Sequence, residues 1–104
     1  MADYYPFSMQ ETFTTGSNLD IDTAAEQLIA TSHVAKEGIL LKADAANAGI
    51  IYVGSSSAVT AGSAAATDGF PLSAGDGLVM GVSNANKVYA VASEANQKLF
   101  FLVV

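Results

Sequence analysis

Ala43-Asp44-Ala45-Ala46-Asn47-Ala48-Gly49-Ile50-Ile51-Tyr52-Val53-Gly54 opens the stretch that decides the fold. After a small-residue segment it resumes as Gly69-Phe70-Pro71-Leu72-Ser73-Ala74-Gly75-Asp76-Gly77-Leu78-Val79-Met80-Gly81-Val82. It closes as Lys87-Val88-Tyr89-Ala90-Val91-Ala92-Ser93-Glu94-Ala95-Asn96-Gln97-Lys98-Leu99-Phe100-Phe101-Leu102-Val103-Val104. Short apolar runs alternate with clusters of Gly, Asn, Asp, Ser and Pro, which is the punctuation of strands and turns. Val, Ile, Tyr and Phe fill the runs, as a pleated, half-buried surface prefers.

Within this stretch Ile50–Val53 reads as a central strand, apolar on both faces. Gly77–Val82 is a strand with Leu78, Met80 and Val82 on one face, Val88–Ala92 is another, and Leu99–Val104 is apolar on both faces to its last residue. Turns fall at Asp44–Gly49, Ser83–Asn86 and Ser93–Asn96, where Asn, Asp and Gly tolerate the required dihedrals. Gly54–Gly69 is a long loop of small residues with one charge, Asp68, closed by Phe70-Pro71-Leu72. A loop this long in a small domain is usually functional or mobile.

Upstream, Ile39–Ala43 is a clear strand. Phe7–Thr14 alternates, with Phe7, Met9 and Phe13 on one side and Ser8, Gln10, Thr12 and Thr14 on the other. Gly16-Ser17-Asn18 is read as a turn, followed by Leu19–Asp22 with Leu19 and Ile21 inward. Thr23–Ala30 is open on local grounds. Thr23 with Glu26 fits a helix capping box, yet the run is barely two turns long, and Glu26, Leu28 and Ala30 would also share one strand face. Residues 1–6 form an N-terminal arm in which Pro6 pushes Tyr5 towards an extended conformation. Residues 7–104 are a single domain. The expected fold is all-β, an antiparallel β-sandwich of jelly-roll type with about eight strands.

Composition narrows the function. The chain has 104 residues, of which 51% are apolar and only 13% charged, and mean hydropathy is positive at +0.36. So little charge on so small a domain implies that part of the surface is buried against other chains. Four Lys, no Arg and ten acidic residues give a net charge of −6. Without a basic cluster to neutralise phosphates, nucleic acid is excluded as a partner, and an anionic membrane surface is disfavoured for the same reason. There is no Cys, hence no disulfide framework and no thiolate metal site. The first residues lack the pattern of a signal peptide and no segment has transmembrane length, so synthesis in the cytosol without export is expected.

The residues offer little chemistry. His33 has no second His or Cys at ligand spacing and reads as a hydrogen-bonded loop residue. Asp20 and Asp22 share a strand face, but calcium needs six or more oxygens, so they read as a solvated face. Asp76, between two glycines, suits a turn before a strand. The glycines match neither a dinucleotide fingerprint nor a P-loop, and no Ser sits in a nucleophile elbow. The chain is therefore expected not to be an enzyme, with no cofactor and no metal.

Glu26–Ala30, Lys36–Asp44 and Asn47–Gly54 together resemble a small β domain common among tailed-phage virion proteins. Gly69-Phe70-Pro71-Leu72, Gly75-Asp76, Lys87–Ala92 and Ala95–Lys98 extend the resemblance, which runs from about Ala24 to Val104. The likeness is to capsid decoration (cement) proteins, and also to domains of head fibres, tails and baseplates. It implies that residues 24–30 are extended. It further implies a virion location on the capsid surface, after synthesis in the bacterial host cytoplasm, with the major capsid protein and copies of the chain itself, as a trimer or dimer, for partners. A carbohydrate- or receptor-binding module is the rival reading. Under the decoration reading, contacts are expected from Tyr4, Tyr5 and Phe7 of the arm and from Ser55, Ser56, Ser57 and Val59 of the long loop.

Overall fold

The computed structural model describes residues 12–104. The expected arm and the strand start at Phe7 lie outside the described residues. Among the described residues eight strands are formed: β1 (Thr14–Ile21), β2 (Glu26–Gln27), β3 (Ile39–Ala43), β4 (Ile51–Gly54), β5 (Phe70–Leu72), β6 (Gly77–Met80), β7 (Tyr89–Ala92) and β8 (Gln97–Val103), with one 3₁₀ turn at Ala85–Lys87 before β7.

They make two antiparallel sheets, β1-β8-β3-β6 and β2-β7-β4-β5. The pairs β1 with β8, β2 with β7, β3 with β6 and β4 with β5 are nested. The chain is one long antiparallel ribbon rolled so that β8 also meets β3 and β7 also meets β4. That is the winding of a jelly roll. The loop after Gly54 is the tip of the ribbon.

Alternation explains why the sheets close face to face. Ile39, Leu41 and Ala43 on β3, and Leu99, Phe101 and Val103 on β8, all point inward and are buried. From the other sheet Ile51, Val53, Leu72, Ala90 and Ala92 meet them. The small Ala side chains on β7 leave room for Phe101 and the branched residues opposite, as close packing of two inner faces requires. Gln97 is the one buried polar side chain among the described residues. Its Oε1 accepts from the Gly49 N–H at 2.8 Å and its Nε2 donates to the Ala95 carbonyl at 2.8 Å, so its burial leaves no group unpaired.

Two expectations on β1 are corrected. Gly16–Asn18 is not a turn but the middle of a strand paired with Phe101, Phe100 and Leu99. Gly16 is there because Phe101 lies across it; a Cβ at residue 16 would fall inside the ring. Leu19 is not inward but 53% exposed. The register explains this: from Asn18 to Ile21 the strand advances three residues while its partner goes from Leu99 to Gln97. The extra residue is a β-bulge, and the Asp20 N–H bonds the Asn18 side-chain oxygen at 3.0 Å within it. Period two fails across the bulge, so Leu19 and Ile21 no longer share a face.

Within residues 24–30 only Glu26–Gln27 is strand, β2, with bends at Ala24, Leu28 and Ala30 and no helical turn. The capping-box signal yields because Gln27 is drawn into the fold: its Nε2 donates to the Asn86 carbonyl at 2.9 Å, while the Leu28 N–H donates to the Val88 carbonyl at 2.8 Å. Asn18 completes the tie between sheets, donating to Glu26 Oε1 at 3.0 Å. The strand count matches the expectation, but the membership differs. The strand expected over Phe7–Thr14 lies mostly outside the described residues, Gly16–Asn18 and the strand expected from Leu19 belong to β1, and Phe70–Leu72 is the added strand β5.

Gly16→Ala should lower stability by about 1–3 kcal/mol through overpacking against Phe101. Thermal melts would show a fall of roughly 4–8 °C per kcal/mol. Combining it with Phe101→Leu should cost less than the sum of the two single changes, since the shared clash is relieved.

Candidate interaction surface

In a two-sheet sandwich, outward strand positions normally carry polar side chains. The β1-β8-β3-β6 sheet breaks that pattern. Its outward residues include Leu40 on β3, Val79 on β6, and Phe100 and Leu102 on β8. Register sets Leu102 beside Leu40 and Leu40 beside Val79, an apolar row across three strands. Val79 is 75% exposed, Leu40 41% and Phe100 40%. Phe13, just before β1, is exposed as well. Thr15 lies opposite Leu102, so period two puts Phe13 on the same outer face.

Between Leu40, Val79, Leu102 and Val104 runs a shallow groove of about 300 Å³, with Gly38 and Ile39 at its base and Glu37 at its rim. The base is fixed by backbone: the Val104 carbonyl accepts from Lys36, Glu37 and Gly38 at 3.0, 2.7 and 3.1 Å, and the Val104 N–H donates back to Gly38 at 3.0 Å. Single exposed apolar residues are ordinary, but a contiguous row on adjacent strands is a candidate interaction surface.

The outer face of the other sheet is treated differently. Its outward pair is Tyr52 and Val91. Val91 is buried, and Tyr52 is half-buried. The ribbon-tip loop comes over it, with Gly62 against the Tyr52 hydroxyl at φ +64°. Only glycine suits that position, both for its dihedral and for the space. One outer face is thus dressed by the chain's own loop, and the other is bare among the described residues.

The loop is an ordered structure built on Asp68. Its Oδ1 accepts from the Thr60 hydroxyl at 2.6 Å, the Ser63 N–H at 3.0 Å and the Ser63 hydroxyl at 2.9 Å, and its Oδ2 accepts from the Ala65 N–H at 3.2 Å. These donors, the Thr60 hydroxyl first, hold the carboxyl down to about 2 from an ordinary 3.8. Backbone bonds from Thr60 to Thr67 and from Gly69 to Thr60, both 3.0 Å, pin the two limbs together.

Of the residues picked from sequence, Ser55, Ser56 and Ser57 are exposed on this loop. Val59 is buried, with its methyl groups against Gly54 and Gly69, and anchors the loop. Tyr4, Tyr5 and Phe7 lie outside the described residues. His33 is hydrogen-bonded, its Nδ1 3.0 Å from the Thr31 carbonyl, and its ring meets Phe101 edge-on at 5.5 Å. Asp76 caps its turn by accepting from the Ser73 N–H at 3.0 Å, as its flanking glycines suggested. Asp22 accepts from the Asn96 N–H at 3.0 Å. Sequence reasoning missed Leu40, Val79, Phe100 and Leu102 as a surface. The signal was the doubly apolar last strand, which marked a central strand without telling which face stays bare.

Because the Asp68 carboxyl is held below its unfolded value of about 4, its contacts support the loop fully above that pH and are lost as pH falls through about 2. The Thr60, Ser63, Ala65 and Gly69 amides of the wild type should therefore be protected from hydrogen exchange near pH 4, relative to their intrinsic rates, and lose that protection as pH approaches 2. Asp68→Ala should lack the protection at both. Equal rates for the two proteins would remove Asp68 from this role.

Compared with known proteins, the chain matches no family model, no curated protein and no solved structure.

Proposed function

We propose that this chain is a non-catalytic structural protein of a tailed-phage virion, a decoration protein that binds the assembled head and stabilises it. Its partners are the major capsid protein and further copies of itself, as a trimer or dimer, on the capsid surface. The observation that carries the assembly role is the bare apolar row of Leu40, Val79 and Leu102 with Phe100 and Phe13 beside it. The virion setting is supported by the resemblance of Glu26–Ala30, Lys36–Asp44 and Asn47–Gly54 to small virion β domains. A protein that binds only the closed shell stabilises that shell by mass action, and many symmetric copies add avidity without any single strong contact.

Covering one large apolar side chain contributes about 1.5–3 kcal/mol. Val79→Glu with Leu40→Lys, an opposite-charge pair across the two strands, should thus weaken binding to undecorated heads at least tenfold. Both residues are outward-facing, so the melting temperature of the isolated domain should hardly move. Binding is measured by co-sedimentation with heads, and location by electron microscopy of the particle. Wild-type tightness in the double variant would remove this face from the interface, and a position on the tail would replace head decoration by a tail or baseplate role.

A further inference from the structure

The groove beside Leu40 and Val79 lies near the point where the described chain begins. The described chain begins at Thr12, and Phe13 sits one residue before the Thr14–Val103 pair, at the groove end that Val104 lines. Eleven residues precede Thr12. At ~3.3 Å each they reach about 36 Å, against a four-stranded sheet about 14 Å across. Their sequence suits an apolar groove: Tyr4 and Tyr5, then Phe7 and Met9 alternating with Ser8 and Gln10. Between Pro6 and Thr15 there is no Gly, Asn or Asp to make a tight reversal. Such a sequence favours running on over doubling back onto its own sheet.

We propose that the N-terminal segment of a second copy, Asp3–Met9, lies across the groove formed by Leu40, Val79, Leu102 and Val104, so that copies exchange arms. The aromatic side chains cover the apolar row, and each copy gives one arm and receives one. The inference rests on the part of the preceding reading in which copies are one another's partners, and it does not need the virion.

The absence of cysteine makes the test clean. Full-length Phe7→Cys and Val79→Cys chains, distinguished by a tag and co-expressed, are treated with a short bismaleimide. The expected product is a covalent pair holding one chain of each kind. In parallel, Tyr4→Ala, Tyr5→Ala and Phe7→Ala combined should weaken self-association at least tenfold by sedimentation while the domain stays folded. Arm exchange is overturned if no mixed pair forms, or if a chain carrying both cysteines links only within itself. It is equally overturned if the triple variant keeps the wild-type assembly. Head binding is scored separately: heads still decorated by a protein that fails these tests would leave the decoration reading standing and the arm exchange refuted.

Discussion

The structure depends on β8 being hydrogen-bonded on both sides. It runs between β1 and β3, and every second residue, Leu99, Phe101 and Val103, is sealed in the core. A strand in that position has no free edge and little tolerance for register change, because a slip of one residue would turn Phe100 and Leu102 inward and Phe101 out. Neighbouring features follow from Phe101. Gly16 lacks a side chain because the ring occupies its place, and the His33 ring closes on its edge. At its end β8 is tied to the segment before β3 through Val104, whose carbonyl gathers three backbone donors.

A rolled ribbon leaves two outer faces, and this chain treats them unequally. The ribbon tip, held in shape by Asp68, folds over Tyr52 and supplies one face with its own cover. The opposite face has no such device among the described residues and yet carries an aliphatic row. In a domain of this size the core is thin, and placing several large apolar residues outside it gives up stabilisation that the isolated chain could have used. Such a distribution is consistent with a protein whose apolar surface is completed by assembly. The low charge of the chain fits the same view, since little on that face opposes the approach of another apolar surface.

The order of the ribbon-tip loop bears on how such a domain works. Small residues let the backbone approach closely, and an internally satisfied carboxylate fixes the loop without any contact from outside. Ser55–Ser57 are therefore presented on a shaped surface, and Val59 is the peg that fastens it to the end of β4. Long loops are commonly the mobile part of a domain; here four hydrogen bonds to one side chain make the tip a rigid extension of the sheet.

By itself the sequence determined the class of fold, the strand at Ile39–Ala43, the faces of Leu78, Met80 and Val82, the central place of the strand within Ile50–Val53 and the turn capped by Asp76. All of these are written in local period and turn chemistry, which act over a few residues. Only the tertiary structure decided the rest. Gly16-Ser17-Asn18 looks like a turn because glycine and asparagine favour one locally, and it is a strand because Phe101, distant in sequence, needs the space. Leu19 faces outward because a bulge depends on the partner strand, which one strand's alternation does not contain. Thr23–Ala30 has helical propensity and yet forms no helical turn, because Asn86 and Val88 supply hydrogen-bond partners to Gln27 and Leu28. Which face of the doubly apolar strands stays bare was settled by the path of the Gly54–Gly69 loop, and that path is set by long-range packing on Tyr52 and by hydrogen bonds to Asp68.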